Sequence, residues 1–271
     1  MRSAFTAGLS GLALLVASTA VSEPRVVSLD QCADQFVLAL APRGEIVGVS
    51  KRALNDDANL RRLAVGLPER RATLEAILAA RPTLAVRYWT ADAGLPQALR
   101  RRGVAVVQID EATDFAGVRA NVRKVAAALD QGAAGEALVA RMDAKLAQSH
   151  GAWEGARALY LTPYGFTAGK GTLVGAMMAA AGLTPVASGP GYEPAPLEEL
   201  VLRPPTALVL GFFRDLAGGR QHWTIAGNGY LQALIRRRTI ASLPGSVLGC
   251  PAWYAADGAL TLAQARLGAG R

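Results

Sequence analysis

At 271 residues, with 51% hydrophobic and 18% charged side chains, the chain has the composition of a globular protein of one large domain or two lobes, which excludes an intrinsically disordered one. Its formal net charge is +8, a balance that in other settings would suit a nucleic-acid partner. Scarce aromatics, 6% of the chain, make any clustering of rings informative.

Residues 1–22 read as a secretory signal. Arg2 supplies the positive start, 7–17 is apolar, and the small residues Ser18, Ala20 and Ser22 suit cleavage after Ala20 or Ser22. The apolar run is shorter than the ~20 residues a membrane span needs. No cysteine stands at the cleavage point to carry a lipid anchor. The expectation is a periplasmic protein, exported by a cleavable signal, and export argues against a nucleic-acid partner.

After the signal, residues 25–29 form a β-rich run, and 31–41 a helix carrying Phe36, Leu38 and Leu40. A strand over 46–49 follows, then a helix over 74–81 ended by Pro82, a strand over 84–86, a helix over 95–102 stopped by Gly103, and a strand over 104–109. Strands separated by helices of this length predict βα units and a mainly parallel sheet. An amphipathic helix spans 115–129, broken at Asp130-Gln131-Gly132. A second helix, 133–152, places Leu138, Met142 and Leu146 on one face. About 20 residues at ~1.5 Å each reach ~30 Å, enough to cross between lobes. The alternation then restarts with a strand at 158–161, a helix at 172–181, a helix at 197–203, a strand at 207–210, a helix at 230–238 and a strand at 246–248. The predicted fold is α/β: two similar lobes with mainly parallel sheets, joined by one long helix, with a ligand cleft between them. The expected limits are 23–125 for the N-terminal lobe, 126–155 for the connecting helix and 156–271 for the C-terminal lobe.

The halves echo each other. Residues 73–86 align with 196–209 without a gap, and Leu74/Leu197, Glu75/Glu198, Pro82/Pro205, Thr83/Thr206 and Val86/Val209 coincide. In each copy a glutamate stands in the first turn of a helix, where negative charge is favoured.

Catalytic patterns are scarce. Gly165 to Thr172 resembles a phosphate loop, but its glycines are one residue too close and Gly171 separates Lys170 from Thr172. The aromatics instead collect just after predicted strands: Tyr88 and Trp89, Tyr164 and Phe166, Phe212 and Phe213, Trp253 and Tyr254. Ligands of parallel α/β sheets bind beyond the carboxyl ends of strands, so these rings, with Gln31 after the first strand, predict an aromatic-lined cleft for a large, flat, partly apolar ligand. Arg87 and Arg214 lie beside the rings and are expected to offset ligand charge. For Cys32 and Cys250, a disulfide and two buried free thiols are both compatible with the sequence. Two histidines, His150 and His222, are too few for a closed His/Cys zinc site.

Taken in order, the opening strand at 25–29, Leu74-Glu75 with Pro82, the segment 99–109 followed by the linking helix, Phe166 to Lys170, and Leu197-Glu198 with Pro205 resemble class III periplasmic solute-binding proteins, the ferric-siderophore, haem and cobalamin receptors of ABC importers. The resemblance implies a monomeric, non-enzymatic receptor without a cofactor of its own, whose ligand carries Fe or Co. It also implies that Glu75 and Glu198 dock on arginines of the importer permease. An exported α/β hydrolase with His222 as base is the alternative.

Overall fold

The computed structural model describes residues 24–89, 92–212 and 228–268. The predicted signal segment, Phe213, Arg214 and His222 lie outside them. In the N-terminal half, β1 (Val26–Ser28), β2 (Ile46–Ser50), β3 (Glu69–Arg70), β4 (Leu84–Arg87) and β5 (Ala105–Gln108) form one sheet in the order β3-β2-β1-β4-β5. Every pairing in it is parallel. In the C-terminal half, β6 (Arg157–Leu161), β8 (Thr184–Pro185), β10 (Ala207–Gly211) and β11 (Thr239–Leu243) form a second parallel sheet in the order β11-β10-β6-β8. A short antiparallel ribbon pairs β7 (Phe166–Ala168) with β9 (Tyr192–Pro194).

The sheets share a plan. In each, the chain moves outward from the first strand, then crosses to that strand's other side, placing β4 beside β1 and β10 beside β6. These two crossover strands belong to the repeated sequence segment. The helices before them, α3 (Leu74–Ala79) and α8 (Leu197–Leu202), hold Glu75 and Glu198 in their first turns. Thr73 caps α3 through its hydroxyl, which accepts from the Ala76 N–H, whereas Pro196 offers α8 no such bond.

Parallel strands covered on both faces must be apolar on both, and the central strands β1, β4, β6 and β10 are nearly so, whereas the edge strand β3 is Glu69–Arg70. Alternate residues serve different cores. Val26, Val86, Ala158, Tyr160 and Val209 join one large core that runs through both halves, with Val27 and Ala85 on the far face of the first sheet and Leu159, Leu161, Leu208 and Leu210 on the far face of the second. The shared core is built by helices between the sheets: α1 (Gln31–Leu40), α5 (Phe115–Ala128), α6 (Gly132–Ser149), α7 (Leu173–Ala180) and α11 (Ala255–Gly268). The linking helix is α6; its 18 residues span ~27 Å and carry the chain from β5 and α5 to β6. Asp130, at φ 55°, makes the predicted break before it. Arg119 pairs with Asp143 at 2.7 Å and Arg123 with Glu136 at 2.6 Å, lacing α6 to α5, and Lys145 pairs with Asp257 of α11.

One reading is corrected. Residues 246–248 are not a strand: Gly245–Leu248 is the short helix α10, and the strand is the β-branched run at β11, directly after α9 (Gly229–Arg238). The C-terminal region is a full 14-residue helix, α11. The glycine-rich stretch permits backbone-to-backbone packing, because a Cβ on Gly169 or Gly171 would collide with the carbonyl oxygen of Gly189 or Pro190.

Candidate functional site

Each sheet reverses its winding direction between its first strand and the crossover strand, and the crevice beyond the carboxyl ends at such a point is where open parallel sheets bind ligands. In the N-terminal lobe, Asp30 organises it. One carboxylate oxygen caps α1, accepting from the Cys32 and Ala33 N–H groups at 3.1 and 2.9 Å. The other accepts from the N–H groups of Tyr88 and Trp89 at 2.7 and 3.1 Å, fixing the loop after β4. Gln108 holds the same loop from β5, donating to the Tyr88 carbonyl at 2.6 Å. Arg87 holds it from below, its guanidinium donating to the carbonyls of Trp89 and Asp92.

The loop therefore presents two rings on a rigid base. Trp89 is 58% exposed. Tyr88 is half-buried, and its hydroxyl donates to Glu111. Burial, followed by that carboxylate, raises the phenol well above its ordinary pKa, so Tyr88 is a neutral donor at physiological pH. From the other lobe, Tyr192 of β9 faces the same space. A cavity of about 380 Å³ between the lobes is bounded by Tyr88 and Glu111 on one side and by Thr172, Tyr192 and Cys250 on the other. A second cavity, about 420 Å³, opens beyond Trp89 at the ends of β1 and β2 and includes Gln31, Lys51 and Arg52.

Of the predicted site residues, Gln31, Tyr88 and Trp89 come together here. Tyr164 and Phe166 stand exposed near the start of β7, on the ribbon whose other strand carries Tyr192. Phe212 is partly buried at the end of β10, in a left-handed conformation with φ 62°. Trp253 and Tyr254 are core residues, not cleft walls. Trp253 packs edge-on against Phe36 with centroids 5.3 Å apart, Tyr254 is buried, and neither follows a strand. Arg87 is likewise corrected: buried, with its donors spent on backbone carbonyls, it positions the rings and leaves ligand charge to others. Glu111, Tyr192 and the basic residues beyond β2 were missed. The strand-end rule finds Glu111 and Lys51 once it is applied to polar as well as aromatic side chains.

Cys32 and Cys250 form a disulfide, with Cα atoms 5.4 Å apart. It joins the first turn of α1 in one lobe to the segment after α10 in the other. Asn59 adds a side-chain hydrogen bond across the lobes to the Ser246 carbonyl at 3.0 Å. Among the described residues no group of three or more His, Cys, Asp or Glu side chains is placed to hold a metal ion, and no helix is long and apolar enough to cross a membrane.

A family model described as periplasmic binding protein matches residues 26–242. The chain belongs to the periplasmic binding protein family. It is a solute-binding protein and not an enzyme, which removes the hydrolase reading built on His222. No curated protein matches the chain. Among solved structures, the periplasmic haem-binding protein BhuT in complex with two haems is similar at 25% identity and a TM-score of 0.69, covering 89% of this chain and 98% of that one. The haem-binding protein HutB of Vibrio cholerae has 18% identity and a TM-score of 0.72, over 89% and 98%. The vitamin B12-binding protein BtuF of Vibrio cholerae has 16% identity and a TM-score of 0.63, over 91% and 98%. The last two likenesses bear on fold alone.

Proposed function

We propose that this protein captures a metal chelate (a ferric siderophore, haem or a corrinoid) in the cleft between its lobes and delivers it, as a periplasmic monomer, to the permease of an ABC importer. The observation that carries this reading is the accessible ring set at the sheet ends: Tyr88 and Trp89 from one lobe, Tyr192 from the other, bordering adjoining cavities. Large conjugated or aromatic-bearing ligands gain from stacking on such rings, with a few polar groups fixing orientation. BhuT binds haem and BtuF binds vitamin B12, so both ligand classes are compatible with this architecture.

Tryptophan fluorescence tests it. Of the four tryptophans, Trp223 lies outside the described residues; Trp153 and Trp253 are packed against the shared core, Trp153 with its indole N–H bonded to the Leu262 carbonyl, while Trp89 stands at the cleft. At least one of a ferric siderophore, haemin or cobalamin should quench the mature protein saturably, and in a Trp223→Phe background Trp89→Phe should weaken that quench. If all three classes leave the emission unchanged, the reading fails.

Delivery rests on Glu75 and Glu198. Both are exposed at matching places in the two lobes, and no ion pair engages either among the described residues. Val201 and Leu202, three and four positions after Glu198 and so on its side of the helix, are 58% and 80% exposed. Replacing both glutamates by Ala is expected to leave ligand affinity within twofold while uptake through a reconstituted importer drops at least tenfold. Unchanged uptake would remove the docking role.

A further inference from the structure

We infer that β5 and β11 are the two places where a second copy of this chain would add a strand, and that the arginine triplets Arg100-Arg101-Arg102 and Arg236-Arg237-Arg238 keep both closed. This goes beyond the proposed ligand role and does not depend on it.

The two parallel sheets end in four edge strands, β3 and β5 in one, β11 and β8 in the other. An edge strand offers unpaired N–H and C=O groups on which another chain can pair. Two of the edges are blunted by their own residues. β3 is two residues long and charged, Glu69–Arg70, and β8 is two residues ending in Pro185, which has no N–H to give. The other two are longer and uncharged: β5 runs Ala105–Gln108 and β11 runs Thr239–Leu243, with Val106, Val107 and Ile240 favouring extended chain. These are the two strands that an arginine triplet precedes. They also hold the same place in the two lobes, β5 beside the crossover strand β4 and β11 beside the crossover strand β10.

Helix ends alone do not explain the triplets. A cation is favoured near a helix carboxyl terminus, yet α3 and α8, which lead to the interior strands β4 and β10, have no basic residue in their last turns and a single arginine beyond them, Arg81 or Arg203. The helices that lead to the free edges, α4 (Gly94–Arg100) and α9, are the ones that close on three. All six arginines are exposed, and no ion pair engages any of them among the described residues. Arg100 also acts on the edge directly. Ala105 and Ile109 donate their N–H groups toward β4, to the carbonyls of Thr83 and Arg87, so by alternation Val106 turns its backbone to the free side. The Arg100 guanidinium donates to the Val106 carbonyl at 3.4 Å, occupying an acceptor that an added strand would need. At β11 the register slips between Leu208 and Val209, leaving Ile240 without an opposite residue, and such a bulge further spoils strand addition. A second copy laid along β11 in either direction would cover guanidiniums with no carboxylate to receive them, since residues 239–256 contain no acid. The acids after β5 are already engaged, Asp110 by Lys124 at 2.8 Å and Glu111 by the Tyr88 hydroxyl.

Sedimentation equilibrium of the mature protein over a range of concentrations tests this, comparing wild type with R100Q/R101Q/R102Q, R236Q/R237Q/R238Q and the charge-preserving R236K/R237K/R238K. Wild type and the lysine variant should stay monomeric. Each glutamine variant should self-associate, with an association constant at least tenfold above wild type. Hydrogen exchange should locate the contact: as association proceeds, amides of 105–108 should slow in the first variant and those of 239–243 in the second. Glutamine suits a helix about as well as arginine does, so the urea midpoints of the dilute variants should match wild type. If a triple variant folds poorly, Arg238→Gln alone should show the same slowing over 239–243, at smaller size. Glutamine variants as monomeric as wild type, association without slowing at β5 or β11, or a wild type that itself pairs through either strand would overturn the guarding role.

Discussion

Replacing Cys32 and Cys250 together by Ala should lower the free energy of unfolding by about 3–5 kcal/mol. The bridge closes a loop with a sequence separation of 218 residues, and the chain-entropy argument gives about 5 kcal/mol for a loop that long. Against a total stability of roughly 5–15 kcal/mol, the loss is a large fraction. The edge-on contact between Phe36 and Trp253 keeps the same segments packed without the bond, so the native state persists and the loss is carried by the unfolded chain. Urea unfolding of the oxidised wild type and the double variant measures it. The midpoint should fall and the dependence on urea steepen, because an uncrosslinked unfolded chain exposes more surface. The bond also closes one side of the interlobe cavity, so ligand affinity should weaken in the same variant. Coincident unfolding curves would mean that the bridge adds nothing to a fold already held by its shared core.

The sequence carried the architecture because its signals were local. The repeated Leu-Glu and Pro-Thr spacing marked α3–β4 and α8–β10, and in the structure both strands take the crossover position in their sheets. The linking helix was legible from Leu138, Met142 and Leu146, spaced by four, which pack into the core between the sheets. What failed depended on tertiary context. Ser246-Val247-Leu248 has strand composition but follows Pro244, and it forms a helical turn. The true strand, β11, follows directly on the three arginines that close α9, with no turn residue to mark the junction. That slip carried Trp253 and Tyr254 into the predicted cleft. Ring identity says nothing of direction, and both rings turn toward the core. Tyr192 reaches the cleft through the ribbon of β7 and β9, a pairing between two very short strands that neither segment announces alone. The disulfide stayed open for the same reason, since only the packing of the lobes brings positions 32 and 250 together.

Asp34→Ala is the point substitution expected to damage this fold most. The side chain is fully buried in the first turn of α1, beneath the ends of β1 and β2. It accepts hydrogen bonds from the Ser28 hydroxyl, the Ser50 hydroxyl at 2.6 Å and the Ser50 N–H at 2.8 Å. Truncation leaves these donors buried, at about 1–3 kcal/mol each before relaxation, so a net loss of about 3–5 kcal/mol is expected. Burial without a cation raises the carboxyl above its ordinary pKa of 3.8, while the hydrogen bonds from Ser28 and Ser50 oppose that rise. The native state therefore holds this proton more tightly than the unfolded chain does. The contribution of Asp34 to stability is then greatest when it is protonated, and it declines as pH rises from the ordinary carboxyl range through the raised value. Asp34→Asn tests the sign. Because the serine hydroxyls can turn to accept from the amide, this variant should lose much less than the alanine one. Relative to wild type it should gain as pH rises through that window. A wild-type advantage that instead grows with pH would show that the serine hydrogen bonds outweigh desolvation and that the carboxylate is the preferred native form.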